Sequence, residues 1–212
     1  MFGPILRQID KVNAFTLSGL GLAILSVTFA LQGQFPASLT CLIWCGMVDL
    51  FDGFLARKLK RTPTQGQVGQ QLDSLVDLCA FGFAPALFGF CFGLRGAWLV
   101  LLIAYACANA ARLAYFNVAG LSGEGDQKYF TGLPVTYAAL AFPLCFVVRF
   151  FASGDITRVV LVCTYAVLAV AMVSGAKIPK PRGVMYVLLP LLAVFMTGLY
   201  GWAIATGRAS GL

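Results

Sequence analysis

VDLFDGFLARKLKRTPTQGQVGQQLDSLVD, residues 48–77, holds four of the eight acidic residues of a 212-residue chain that is otherwise 60% hydrophobic. Asp49, Asp52, Gly53, Ala56 and Arg57 fall at i, i+3, i+4, i+7 and i+8, which is one face of a helix. Gly69, Asp73 and Asp77 fall at i, i+4 and i+8, again one face. Pro63 and the region of Gly66 and Gly69 read as a break between the two runs. Two antiparallel helices joined there bring all four carboxylates to one place, as a box of oxygen ligands.

The surroundings of this hairpin decide what kind of fold contains it. Only 11% of the residues are charged and the mean hydropathy is +0.87, far more apolar than a soluble domain at about 45–50% apolar. Seven apolar segments, at about 12–32, 36–60, 70–93, 97–118, 132–151, 156–175 and 184–206, are each long enough as helices to cross a ~30 Å hydrocarbon core. Alternating ten-residue segments, the mark of a transmembrane barrel, are absent. The expected fold is an all-α, polytopic transmembrane helical bundle. Without a long polar linker, a low-complexity tract or the internal repeat of many transporters, residues 1–212 parse as a single membrane-embedded domain.

The N-terminal MFGPILRQIDKVN lacks the apolar core and cleavage site of a signal peptide and is expected to be retained, as a short helix on the membrane surface. With that end in the cytoplasm, Arg7, Lys11, Arg57, Lys58, Lys60, Arg61, Lys128, Lys177, Lys180 and Arg182 fall on the cytoplasmic side. Arg95, Arg149, Arg158 and Arg208 fall opposite, and Arg112 stays inside a helix. This is the positive-inside bias, and it accounts for the net charge of +7 through membrane lipids rather than nucleic acid. The polar loops at about 58–69 and 119–131 and the turn KIPKPR then face the cytoplasm, so chemistry on soluble substrates belongs there. The basic residues Lys177, Lys180 and Arg182 mark that side and can also attract anionic lipid.

The seven cysteines lie in apolar segments without a CxxC pair, and the chain has no histidine, so packing rather than zinc is their reading. An acidic box without nitrogen or accessible sulfur suits a hard cation, Mg²⁺, Mn²⁺ or Ca²⁺. Four adjacent carboxylates repel one another unless cations neutralise them. Two ions ~3.5–4 Å apart can clamp a pyrophosphate and stabilise attacking and leaving oxygens. Gly53 and Ala56 leave space for such a ligand, and Arg57 on their face can pair with its phosphate oxygens. An isolated DxxD is more often a solvated helix end, and buried acids also serve cation-coupled transporters. The second carboxylate pair and the small residues favour the enzyme, because a transporter site is expected at the midplane between paired halves.

The pattern resembles the signature of the CDP-alcohol phosphotransferases, D-x2-D-G-x2-A-R followed by G-x3-D-x3-D, here Asp49, Asp52, Gly53, Ala56, Arg57 and then Gly69, Asp73, Asp77. Eleven residues separate Arg57 from Gly69 where the family usually has about eight, which reads as an insertion in the connecting loop. VNAFTL (12–17), LDSLVDLCAFGFAPA (72–86), ARLAYFNV (111–118), YFTGLPVTYAA (129–139) and MVS (172–174) look like blocks of the integral-membrane CDP-diacylglycerol–serine O-phosphatidyltransferases.

The resemblance implies a six-helix core, to which this chain adds a C-terminal helix, a cavity open to the cytoplasm and a homodimer. It implies that Asp49, Asp52, Asp73 and Asp77 bind two divalent ions holding the CDP pyrophosphate. Asp52, Gly53, Ala56, Arg57 and Gly69 line the nucleotide site, with Asn13 and Thr16 beside it, and Asp77 is the general base. The implied reaction joins CDP-diacylglycerol and L-serine, giving phosphatidylserine and CMP. Archaeal diether lipids, glycerol phosphate, inositol phosphate and choline are the rival substrates.

Serine brings a carboxylate to the site, so a cation should await it. Arg112, with Asn109 three residues before it, is the first candidate, because an arginine inside an apolar segment faces the interior or water; snorkelling or pairing with a motif Asp is the alternative. Lys128 is the second. GFCFG (89–93) is a GxxxG that can pack two helices closely.

Overall fold

The computed structural model describes residues 3–121, 129–179 and 183–207. Among these residues eight α-helices form one bundle: α1 (Lys11–Leu31), α2 (Phe35–Lys58), α3 (Pro63–Asp77), α4 (Ala84–Cys91), α5 (Trp98–Ala119), α6 (Ala138–Phe146), α7 (Gly154–Val173) and α8 (Met185–Ala205). A π-helical segment, Leu78–Phe83, joins α3 to α4, so that Pro63–Cys91 runs as one apolar rod of 29 residues. Among the described residues six helices are long and apolar enough to span a bilayer, and a shorter apolar helical stretch covers Val135–Phe150. These are the seven expected segments. The outer surface carries Val100, Ile103, Val167, Val170, Leu191, Val194 and Phe195 exposed, which suits a lipid-facing wall. The protein is a multi-pass membrane protein whose backbone groups are paired inside its helices.

The interior is aromatic. Phe35, Phe88, Phe92 and Phe146 meet largely edge to face, with ring centroids 5.0–6.3 Å apart, an arrangement that adds to the burial of the rings. Cys45 is buried in this core while Cys107 and Cys163 are exposed, and the seven thiols are free. Before α1 the chain makes a short 3₁₀ helix, Leu6–Gln8, with Ile5 and Leu6 exposed. A two-stranded antiparallel ribbon, β1 (Tyr129–Thr131) against β2 (Lys177–Pro179), lies beyond the ends of α5 and α7.

The break between the acidic helices is placed differently from expectation. Thr62 accepts from the Gln65 amide and Gln65 answers with a bond to the Thr62 amide, a capping box with Pro63 in the first turn. The helix therefore starts at Pro63, and Gly66 and Gly69 lie within it. GFCFG differs too. A Cβ on Gly89 would come within 2.7 Å of the Tyr165 hydroxyl, so this glycine does permit a close approach. Gly93, with φ of +105°, belongs to the turn after α4 and forms no helix face with it.

The π segment was not expected, and it follows directly on Asp77. Pro85 has no N–H to offer the Phe81 carbonyl one turn before it. The fully buried Tyr105 hydroxyl of α5 donates to that carbonyl at 2.5 Å. Tyr105→Phe leaves it without this partner in an apolar interior, which costs about 1–3 kcal/mol. A lowered thermal midpoint of the detergent-solubilised protein is the expected result, and an unchanged midpoint would show that the bond contributes nothing.

Among the described residues Arg7, Lys11, Arg57, Lys58, Lys60, Arg61 and Lys177 sit at the end of the bundle where α2 hands over to α3, and Arg95, Arg149 and Arg158 at the other. The asymmetry marks the end at which the carboxylates gather.

Candidate active site

Asp49 and Asp52 come from the last three turns of α2, Asp73 and Asp77 from the last two of α3. The four line one cavity of about 10 Å³ together with Thr16, Gly19, Val76 and Ala80, room for roughly one water-sized sphere. Asp52 and Asp77 are buried and Asp49 and Asp73 half-buried. Ligand oxygens of Asp49, Asp52 and Asp73 lie within 4.8 Å of one another, close enough to converge on one ion. Among the described residues Asp77 stands outside this trio while sharing its cavity. The Thr16 hydroxyl donates to Asp52 Oδ2 at 3.0 Å and fixes that carboxylate from α1. The donor set is all oxygen, so the cluster fits a hard divalent cation.

A wider polar cavity of about 270 Å³ opens beside the cluster. It is lined by Asn13, Thr16, Asp52, Gly53, Ala56, Arg61, Gly66, Gly69 and Asp73 among others. Six of the seven residues expected around a nucleotide are thus brought together. Gly53 earns a ligand-directed reading here, since a Cβ on it would meet nothing within 4 Å; protein packing does not demand the glycine. Gly69 is different. A Cβ there would come within 2.5 Å of Asn13 Oδ1 and 2.6 Å of Arg61 Nη2, so α3 must be bare at this point for the two side chains to lie across it.

Arg57 is the residue that does not join them. It is exposed in the last turn of α2 and is not among the residues lining this cavity. The arginine at the cavity wall is Arg61, which the spacing of the motif did not single out. Its signal was faint, one basic residue among four in KLKR and its neighbour Arg57, and only the meeting of the connector with the start of α1 distinguishes it.

On the other side of Asp49 lies an apolar groove of about 130 Å³ between α2, α6 and α8, with Met47, Tyr137, Leu140, Leu189 and Met196 on its walls. Asp49 lines both the groove and the acidic cavity.

Arg112 occupies the interior, 6% exposed, as a charged residue facing away from lipid. Its guanidinium carbon is 5.0 Å from the ring centre of Phe116 and 5.5 Å from that of Phe130. It interacts electrostatically with Asp77 and Asp49 without forming a salt bridge to either among the described residues. Nε and Nη2 of Arg112 and both amide atoms of Asn109 are buried without a hydrogen-bond partner among those residues. Unpaired buried groups of this kind are costly and point to a missing ligand or water. A cavity of about 370 Å³ adjoins Arg112, bounded by Tyr115, Thr131, Met172, Ser174 and Gly175. Lys128, the second candidate cation, lies outside the described residues, as do Lys180 and Arg182.

A family model described as CDP-alcohol phosphatidyltransferase matches residues 12–173. The chain is 30% identical over 210 residues to the CDP-diacylglycerol–serine O-phosphatidyltransferase of Helicobacter pylori strain 26695, with 92% of this chain and 85% of that protein covered. It is 35% identical over 151 residues to the protein of that name from Saccharomyces cerevisiae, covering 66% of this chain and 53% of the other. To the archaetidylserine synthase of Methanothermobacter thermautotrophicus it is 28% identical over 161 residues, covering 75% and 65%.

Proposed function

This chain belongs to the CDP-alcohol phosphatidyltransferase family, and we propose that within it the protein transfers the phosphatidyl group of CDP-diacylglycerol to L-serine. The serine hydroxyl oxygen bonds to the β-phosphorus, and the bond from that phosphorus to the bridging oxygen breaks. CMP departs with the electron pair, and the hydroxyl proton passes to the Asp77 carboxylate. Asp49, Asp52, Asp73 and Asp77 would hold two divalent cations, Mg²⁺ or Mn²⁺, on this reading. When bound, such ions supply neutralisation of the pyrophosphate and of the charge that develops on CMP.

One observation carries the proposal: the carboxylate cluster shares residues with a polar cavity on one side and an apolar groove on the other, while the buried Arg112 lines a cavity of its own. A donor that is nucleotide at one end and lipid at the other requires the first two. The polar cavity takes the CDP moiety, between Asn13, Thr16, Gly53, Ala56 and Gly69. The groove beside Asp49 takes the start of the lipid. Arg112 waits with unused donors for the acceptor's carboxylate, and relatives named for serine transfer favour serine as that acceptor. The charge asymmetry of the helix ends supports a cytoplasmic membrane location with the site facing the cytoplasm. The proposal treats the chain as one domain acting as a homodimer.

Purified protein given CDP-diacylglycerol and Mg²⁺ or Mn²⁺ should release CMP with serine, and far less with glycerol phosphate, inositol phosphate or choline. Activity should vanish in EDTA and return with the divalent ion. CMP release undiminished by exhaustive chelation would end the metal-assisted reading, and robust release with glycerol phosphate in place of serine would move the acceptor.

A further inference from the structure

We propose that Arg61 is a nucleotide-binding residue of the donor site, acting at the nucleoside end of CDP through Nη1, the guanidinium nitrogen left without a hydrogen bond among the described residues. The inference rests on the functional reading above and adds a residue to it.

The guanidinium is fastened from three directions. Nε donates to Asp10 Oδ2 at 2.7 Å, and Nη2 donates to Asn13 Oδ1 at 2.5 Å and to the Gln65 carbonyl at 2.8 Å. Asp10 is itself fixed, because its Oδ1 caps α1 by accepting from the Asn13 amide at 2.8 Å. Asn13 in turn donates its side-chain amide to the carbonyls of Gln8 and Gln65. These partners are 51, 48 and 4 positions away in the chain, so the α2–α3 connector and the start of α1 are tied together through one planar group. Nη1 takes no part in the tie among the described residues, although Arg61 lines the polar cavity. An arginine held at Nε and Nη2 presents its remaining donors in a fixed direction, at little further cost in side-chain entropy.

The location selects which part of the nucleotide is touched. Arg61 packs against Gly69, one helical turn before Asp73, or about 6 Å along α3. The carboxylates mark the pyrophosphate, and the apolar groove on their far side takes the lipid. The nucleoside must therefore extend the other way, past Gly69 toward Arg61 and Gly66. Lysine in place of Arg61 keeps a charge for Asp10 but has no planar fork with which to hold Asn13 and still present a second donor.

The test measures binding of CDP, CMP and magnesium pyrophosphate to the full chain in detergent by calorimetry, for wild type and Arg61→Lys. The variant should bind CDP and CMP about tenfold more weakly or worse, the loss expected for a charge-assisted donor. Pyrophosphate binding and the KM for serine should be unchanged. A scaffold residue alone would lower the thermal midpoint without this division between nucleotide and pyrophosphate. CDP affinity within twofold of wild type overturns the proposal, and so does an equal loss for pyrophosphate, which would put the contact at the phosphates. Should Arg61→Lys fail to fold, Arg61→Gln takes its place, and loss of fold in both assigns the residue to the scaffold and overturns the proposal. Wild type that binds no CDP would instead sink the functional reading itself.

Discussion

Asp77→Asn should reduce CMP release by about 10²- to 10⁴-fold, the usual contribution of a general base, while CDP binding stays detectable. The substitution keeps the side chain's shape and one carbonyl oxygen but removes the carboxylate that we propose accepts the serine proton. Its position supports a role apart from its neighbours. Asp49, Asp52 and Asp73 form the compact trio, and Asp77 lies outside it on the same cavity wall. Asp52 is held by Thr16, which suits a residue that must stay still. Asp49→Asn and Asp52→Asn should therefore weaken cation and nucleotide binding as well as turnover. CMP release for Asp77→Asn that stays near normal with saturating substrates would show that the proton goes elsewhere, and parallel loss of CDP binding would make Asp77 a fourth ligand only.

Much of this site was legible because it depends on spacing within single helices. A DxxDG run and a GxxxDxxxD run each put their carboxylates on one face, and two apolar segments joined by a short polar connector can only return antiparallel. Arg61 was not legible, because its meaning comes from Asp10 and Asn13, half a hundred residues away. No periodicity within the connector distinguishes it from Lys58 or Lys60. Arg57 was favoured for the converse reason: helical phase puts it on the right face, but the last turn of α2 leaves that face exposed. The start of α3 is encoded locally. Thr62-Pro63-Thr64-Gln65 spells a capping box with proline at its first helical position, and this outweighs two glycines as breakers. The π segment depends on Pro85 and Tyr105 together, of which only the proline has a local effect.

The acceptor offers the sharper contest between chemistry and packing. Arg112→Lys should raise the KM for serine about tenfold or more, with little change for CDP-diacylglycerol, since a ground-state contact to one substrate is what the change removes. Lysine keeps the charge and loses the planar pair of donors that matches a carboxylate. It also loses much of the flat surface that lies against Phe116 and Phe130, so a packing residue would be expected to lower stability instead. The two effects separate by substrate. Serine methyl ester has no carboxylate charge and should be a poor acceptor for the wild type, and Arg112→Lys should discriminate against it less. A packing defect would slow both acceptors alike. Equal serine kinetics for the two proteins would release Arg112 from the acceptor role and pass it to Lys128. A KM raised for serine alone would explain why an arginine with two unpaired nitrogens is kept inside a membrane bundle: the carboxylate of the substrate is the partner it lacks.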